Sequence, residues 1–272
     1  MKSILFITLI LLFIGFTPLE VISQEIEGEP SRFKKPSTYA WFHSYGKVRL
    51  GEKLFWDAQT HIRTTQYDGT DYFGRMAQIY NRHGIKYLFS KRFSATAGGV
   101  LRLNFTPQPD NNNYENIVLE PRIWHEYLFS MPFDYFKVFH RFRIEHRWSR
   151  TNLKGSDYRY RNRYRYKYYM YIPINRQKLE PGALYFSPDV ELIMQSGKSV
   201  RDNPIEDLRF TPKIGYIVNP RLQYSLSMMY TLGQSNLDGA RYSTRWIFNF
   251  NVYYSFDFRK FENKIPETNF MD

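Results

Sequence analysis

Residues 158–172 read YRYRNRYRYKYYMYI. Arg159, Arg161, Arg163, Arg165 and Lys167 fall on one parity of this stretch, and Tyr158, Tyr160, Tyr164, Tyr166 and Tyr168 fall on the other. Side chains alternate across a β-strand, so an extended conformation places a ladder of cations on one face and a stripe of tyrosines on the opposite face. A helix would scatter both sets around its circumference. Neither face is the aliphatic one that a soluble β-sandwich buries. Cations on one side and amphipathic rings on the other suit a wall between a wet polar lumen and a membrane, as in a transmembrane β-barrel.

Outward from this stretch, the chain divides into runs of ten to fifteen residues with period-two alternation, the length a tilted membrane strand needs. The expected strands cover residues 38–50, 54–67, 75–89, 93–105, 116–129, 136–150, 158–172, 183–194, 208–218, 222–232 and 242–258. Tight turns at 51–53, 90–92 and 219–220 alternate with longer polar connections at 68–74, 106–115, 151–157, 195–207 and 233–241. Short turns on one rim and longer loops on the other are the asymmetry of outer-membrane barrels, whose short turns face the periplasm. The last strand repeats the two-faced pattern. Tyr242, Trp246, Phe248, Phe250, Val252, Tyr254, Phe256 and Phe258 fall on the side expected to face lipid, and Arg245, Asn249, Asn251, Ser255 and Asp257 on the other.

These runs number eleven, whereas bacterial single-chain barrels have even numbers of strands. The expectation is therefore an all-β fold, a single antiparallel transmembrane barrel of about 10–12 strands, with ten or twelve favoured over eleven. The alternative is that residues 24–37 climb through the lumen before joining the wall. Fourteen extended residues reach about 45 Å, enough for that crossing.

The ends of the chain fit export. Lys2 followed by the apolar run at 4–16 has the layout of a secretory signal, with Val21 and Ser23 placed for cleavage before Gln24. The expected organisation is a signal peptide over 1–23, an extended segment over 24–37, a barrel over 38–258 and a periplasmic tail over 259–272. The aromatic end of the last strand resembles the signal read by barrel-assembly machinery. The polar tail that follows departs from that signal. No apolar run of spanning length follows the N-terminus, which excludes a helical membrane protein. With no cysteine, neither disulfides, nor thiolate metal sites, nor a lipid-modified cysteine enter the account.

The formal charge is +12, and removal of residues 1–23 leaves it unchanged because one Lys and one Glu are lost together. That balance points to anionic lipid, lipopolysaccharide or an anionic solute as partner. Export argues against nucleic acid.

Several blocks carry a resemblance. They are the first hairpin opened by Trp41, Glu120-x-Arg122-x-Trp124, Arg141-x-Arg143-x-Glu145-x-Arg147, Arg161-x-Arg163-x-Arg165, and Leu208-Arg209-Phe210 at the start of a strand. Together the chain resembles a family of small, uncharacterised Gram-negative outer-membrane barrels, a domain of unknown function. The resemblance implies a barrel fold and an outer-membrane location, and supplies no catalytic residues.

Parity also sorts the charged residues. The expected anion-binding lumen set is Arg122, Arg141, Arg143, Arg147, Arg159, Arg161, Arg163, Arg165, Lys167 and Arg209, with Glu120, Glu126, Glu145, Asp189 and Glu191 as lumen carboxylates. Lys47, Arg49, Asp57, Gln59, His61, Arg63, Arg82, Arg102, Lys213 and Arg245 share that face. Neighbouring cations on one strand face lie about 7 Å apart and repel by roughly 2 kcal/mol at an effective dielectric of 20. Glu145, Asp189 and Glu191 on the flanking strands neutralise only part of this. A wet, electropositive interior is the expectation, rather than a dry plug.

Three functions remain open. The favoured one is a passive pore or binding site for small anionic solutes, with arginines as forks for oxyanions. The second is a structural or assembly-partner barrel whose own side chains fill the lumen. The third is a lipid-modifying enzyme, which needs a serine beside an oriented histidine. His125, His140 and His146 lie on the lipid-facing parity, and Ser149 lies on the opposite one. No catalytic set emerges. His61 and His83 read as isolated wall residues, so neither a metal nor a cofactor is expected. Ala97-Gly98-Gly99 sits within a strand and marks a close contact rather than a phosphate loop. The amide-rich 110–113 lacks the spaced carboxylates of a calcium site.

Overall fold

The computed structural model describes residues 33–105, 111–200, 204–234 and 242–259. The expected signal peptide, residues 24–32 and most of the C-terminal tail lie outside them. Within the described residues the chain forms β1 (Phe33–Arg49), β2 (Leu54–Tyr67), β3 (Thr70–Ser90), β4 (Phe93–Phe105), β5 (Ile117–Pro132), β6 (Lys137–Ser149), β7 (Arg159–Pro173), β8 (Leu184–Ser196), β9 (Ile205–Asn219), β10 (Leu222–Gln234) and β11 (Tyr242–Asp257). No helix among these residues is long and apolar enough to cross a membrane.

The strands close into one barrel in sequence order, β1 beside both β2 and β11. The count is eleven, so the expectation of ten or twelve is corrected. With an odd number, the first and last strands run the same way, and β1 closes on β11 as a parallel pair from Phe33↔Tyr242 to Arg49↔Asp257. All other neighbours are antiparallel. No strand was missed, and Phe33–Ser37 belongs to the wall instead of crossing the lumen.

Local chemistry explains the tight turns. Asp68 and Gly69 take φ of 47° and 75°. This suits a two-residue hairpin turn of the primed type, so the loop expected at 68–74 is instead a turn. The Ser90 hydroxyl accepts from the amides of Arg92 and Phe93, and the Asn219 side chain accepts from the Arg221 amide. Both are side-chain mimics of a turn. The rim asymmetry is imperfect, because the connection 174–183 sits on the rim that also carries the turns at 50–53, 91–92 and 220–221.

Parity holds along the wall. On β5, Val118, Glu120, Arg122, Trp124, Glu126 and Leu128 are buried and point inward, while Ile117, Leu119, Ile123, Tyr127 and Phe129 are exposed outside. On β7 the outward tyrosines include Tyr160 and Tyr164, both exposed, and Tyr158 just before the strand is exposed too. Tyr169 and Tyr171 take the inward parity that the cations hold further up the strand. There they join Leu128, Phe139, Ala183, Tyr185 and Ile217 in an apolar cluster at the short-turn end. Part of the interior is therefore dry, against the expectation of a uniformly wet lumen.

On the opposite rim two connections are tied together. The Glu115 amide donates to Asn152 O, the Lys154 amide to Asn113 O, and Arg150 donates to both Glu115 carboxylate oxygens at 2.9 and 2.6 Å. The hydrogen bonds from Arg150 hold the Glu115 carboxyl below its usual range. A carboxyl depressed in the folded state contributes stability above its unfolded value, and that contribution disappears as pH falls through the folded value. Protection of the Glu115 and Lys154 amides, taken relative to the intrinsic exchange rate at each pH, should therefore be high at neutral pH and fall in acid. Glu115→Gln should show the low protection throughout, and high protection in the variant at neutral pH would contradict this role.

Candidate functional site: a cationic chamber in the barrel

Inward parity on eleven strands brings the charged residues together in layers. The central carboxylate is Glu145 on β6, with no solvent exposure. It meets four guanidinium groups: Arg122 at 2.7 Å, Arg165 at 3.0 Å, Arg82 at 3.4 Å and Arg163 at 3.6 Å. Glu120 takes Arg122 at 2.7 Å, Arg147 at 2.9 Å and Arg102 at 3.1 Å. Glu191 takes Arg141 at 2.7 Å, Arg165 at 2.8 Å and Arg209 at 3.5 Å. Glu126 holds Arg143 at 2.5 Å and Arg141 at 3.6 Å, and Asp189 holds Lys167 at 2.7 Å and Lys213 at 3.7 Å.

Two further carboxylates come from β9. Glu206 pairs with Arg163 and with Arg147, and Asp207 with Arg209 at 2.7 Å. Both fall within the connection expected at 195–207, so β9 starts earlier than expected and adds two acids to the lumen. The ladder on β7 is accordingly not bare. Arg163, Arg165 and Lys167 are ion-paired, and Arg161 donates to the Ser149 hydroxyl and to Gln195. Arg159 is exposed and lies opposite Ser149 at the strand end, outside this network. Arg122, Arg141, Arg143, Arg147 and Arg209 are ion-paired inside it, as are the five expected lumen carboxylates.

Sharing leaves an excess of positive charge. A cavity of about 330 Å³ lies in the half of the barrel away from the short turns, lined by twelve cationic side chains and three carboxylates, Glu191, Glu206 and Asp207. A second, of about 140 Å³, lies towards the short turns and includes Lys47, Asp57, Lys86, Lys213 and Arg221. His43, Tyr45 and Arg141 are among the residues that line both.

Two lining arginines have no carboxylate partner among the described residues. Arg63 lies between the rings of Trp41 and Tyr80, its guanidinium carbon 3.7 and 4.2 Å from their centroids, and donates to Gln78 at 3.3 Å. Arg245 donates to Ser243 at 3.2 Å. Beside Arg63, the rings of His43 and His61 face each other with centroids 4.1 Å apart. His61 is thus not isolated, which corrects the sequence expectation, and its partner His43 is a lumen residue outside the expected set. His83 is on the outer wall, stacked on Trp56 at 5.6 Å.

On the outer face, His146 Nδ1 contacts Asn162 Oδ1 at 2.7 Å and the Tyr160 hydroxyl at 2.9 Å, and His140 Nδ1 contacts the Tyr166 hydroxyl at 2.8 Å. Among the described residues no serine hydroxyl hydrogen-bonds a histidine, and Ser149 points inward to Arg161. No group of three or more histidine and carboxylate side chains suited to a metal occurs among them either.

A closed all-β barrel with an apolar, aromatic exterior and a charged interior is the class that these features define. The chain belongs to the family described as Protein of unknown function (DUF2490), whose model matches residues 38–241. No curated protein matches its sequence. Among solved structures it is similar to LpxR from Salmonella typhimurium, with 11% identity, a TM-score of 0.46, and coverage of 77% of this chain and 86% of that one. A likeness of that strength carries nothing about activity.

Proposed function

We propose that the chain is an exported outer-membrane β-barrel whose 330 Å³ chamber binds small anionic solutes. The observation that carries this reading is the lining of twelve cations against three carboxylates. The volume lies at the lower end of the roughly 300–1,000 Å³ usual for small-molecule sites. Binding is favoured over free passage. Eleven strands fall between the eight or so of filled barrels and the sixteen or more of water-filled porins, and an apolar cluster occupies the short-turn end. The exposed aromatic exterior supports the membrane setting, and the outward His146 cluster adds no nucleophile.

Calorimetry on the detergent-solubilised protein with citrate or inorganic phosphate should show binding that weakens as salt rises. Arg245→Gln should reduce affinity about fivefold, the equivalent of roughly 1 kcal/mol for one partly exposed charge. Absence of binding for both anions would return the barrel to a purely structural role. A steady anion-selective conductance in planar bilayers would replace binding by passage.

A further inference from the structure

We infer that the β1–β2 wall of the chamber is a seat for a polyhydroxylated anion, one that carries an oxyanion next to free hydroxyl groups. The inference rests on the anion-binding reading and narrows it. Four inward side chains form the seat. Trp41 stands opposite Arg63 and His43 opposite His61 in the β1–β2 register. Most of the surrounding cations have carboxylates to satisfy them. These four side chains instead carry polar atoms that are buried and have no partner among the described residues: Trp41 Nε1, Arg63 Nε, His43 Nε2 and both ring nitrogens of His61. Trp41, His43 and His61 are 7%, 8% and 4% exposed.

The hydrogen-bond roles of these atoms specify the ligand. Trp41 Nε1 and Arg63 Nε are donors only. Stacking between Trp41 and Tyr80 fixes the plane of the Arg63 guanidinium, so its free edge is preorganised for an oxyanion. His43 Nδ1 donates to Asn251 Oδ1 at 2.8 Å, and the Asn251 amide group in turn donates to Ser225 Oγ at 3.0 Å. In neutral His43 the other nitrogen, Nε2, is then an acceptor. Neutral His61 offers one donor and one acceptor. The seat therefore presents three donors, Trp41 Nε1, Arg63 Nε and one His61 N–H, beside two bare acceptors, and only a ligand that brings its own O–H groups meets both kinds. A carboxylate or phosphate without hydroxyls leaves the two imidazole acceptors buried and unmatched, and this costs affinity. Sugar acids and sugar phosphates share the required chemistry.

Calorimetry with the intact barrel tests this with gluconate against hexanoate, and glucose 6-phosphate against methyl phosphate. If either hydroxylated ligand binds about tenfold or more tightly than its hydroxyl-free counterpart, the equivalent of one hydrogen bond, the seat is supported. Neutral sorbitol should bind far more weakly than gluconate. His61→Phe removes one of the two acceptors and should reduce the preference severalfold, whereas an undiminished preference would overturn the assignment. The wild-type comparison needs no variant and decides alone if His61→Phe fails to assemble. Equal affinities within both pairs would overturn the seat and leave the anion chamber standing. No binding of any anion would remove the chamber as well.

Discussion

Glu145→Gln should destabilise the barrel by about 3–5 kcal/mol, the usual consequence of removing one member from a buried ionic cluster. Glu145 lies at the centre of Arg82, Arg122, Arg163 and Arg165. The amide keeps the shape of the side chain and removes its charge. Four guanidinium groups, brought together by four different strand positions, would then repel one another across a space with no exposure at its centre. Arg122 retains Glu120, Arg163 retains Glu206 and Arg165 retains Glu191, so these three are partly compensated. Arg82 loses the one carboxylate it contacts among the described residues. The measurement is the urea midpoint of the folded band on unheated gels. Glu180→Gln on the exposed connection 174–183 serves as control and should fall within about 0.5 kcal/mol of the parent. A Glu145→Gln midpoint equal to that of the control would show that the network does not hold the barrel together.

Gly98→Ala is the second substitution with a large expected effect, and Gly99→Ala beside it should be nearly silent. A Cβ on Gly98 would overlap the carbonyl oxygen of His83 and lie 2.5 Å from the Cα of Gly84, both backbone atoms of β3. A side chain could turn away from such a clash, but backbone in a paired strand cannot. Gly84 and Gly98 are register partners, and a Cβ on Gly84 would meet the Trp124 ring at 2.8 Å. The two glycines thus let β3 and β4 approach beneath Trp124, which is 1% exposed and flanked by Arg82 and Arg143 at 5.5 and 4.9 Å from its ring. Forcing the strands apart should cost at least about 3 kcal/mol, the upper range for overpacking, and should block assembly in cells. The nearest atom to a Cβ on Gly99 is Arg122 O at 3.9 Å, an ordinary contact. If both variants assemble equally well, close strand approach is not what this position requires.

The faces of the wall were legible from sequence because parity is a local property. The alternation of Arg161, Arg163 and Arg165 with tyrosines needs no tertiary information, and every lumen assignment except the rim residue Arg159 follows from it. Distances across the lumen are not local. That Arg82 on β3 reaches Glu145 on β6 depends on how the barrel closes, and no strand by itself records this. Glu206 and Asp207 were hidden for a different reason. They lie between a polar segment and the apolar alternation that begins at Leu208, so composition places the first residues of β9 in the loop. His43 could have been found. Counting outward from the turn centred on Glu52 puts position 43 opposite position 61, which is the observed register. Eleven alternating runs give eleven strands, because a parallel closing pair escapes the general rule of even numbers.

That parallel pair also orders events in time. β1 and β11 join residues more than two hundred positions apart, the most remote neighbours in the wall, and the loop-closure entropy of such a contact must be met before any gain follows. Every other strand can zip to its predecessor as a hairpin. The Trp41 and His43 half of the anion seat sits on β1, directly across the seam from Asn249 and Asn251. The chamber therefore has no lining on that side until the last rung is made. Ligand capture during refolding would be a clock for ring closure, starting only when the final step of assembly is complete.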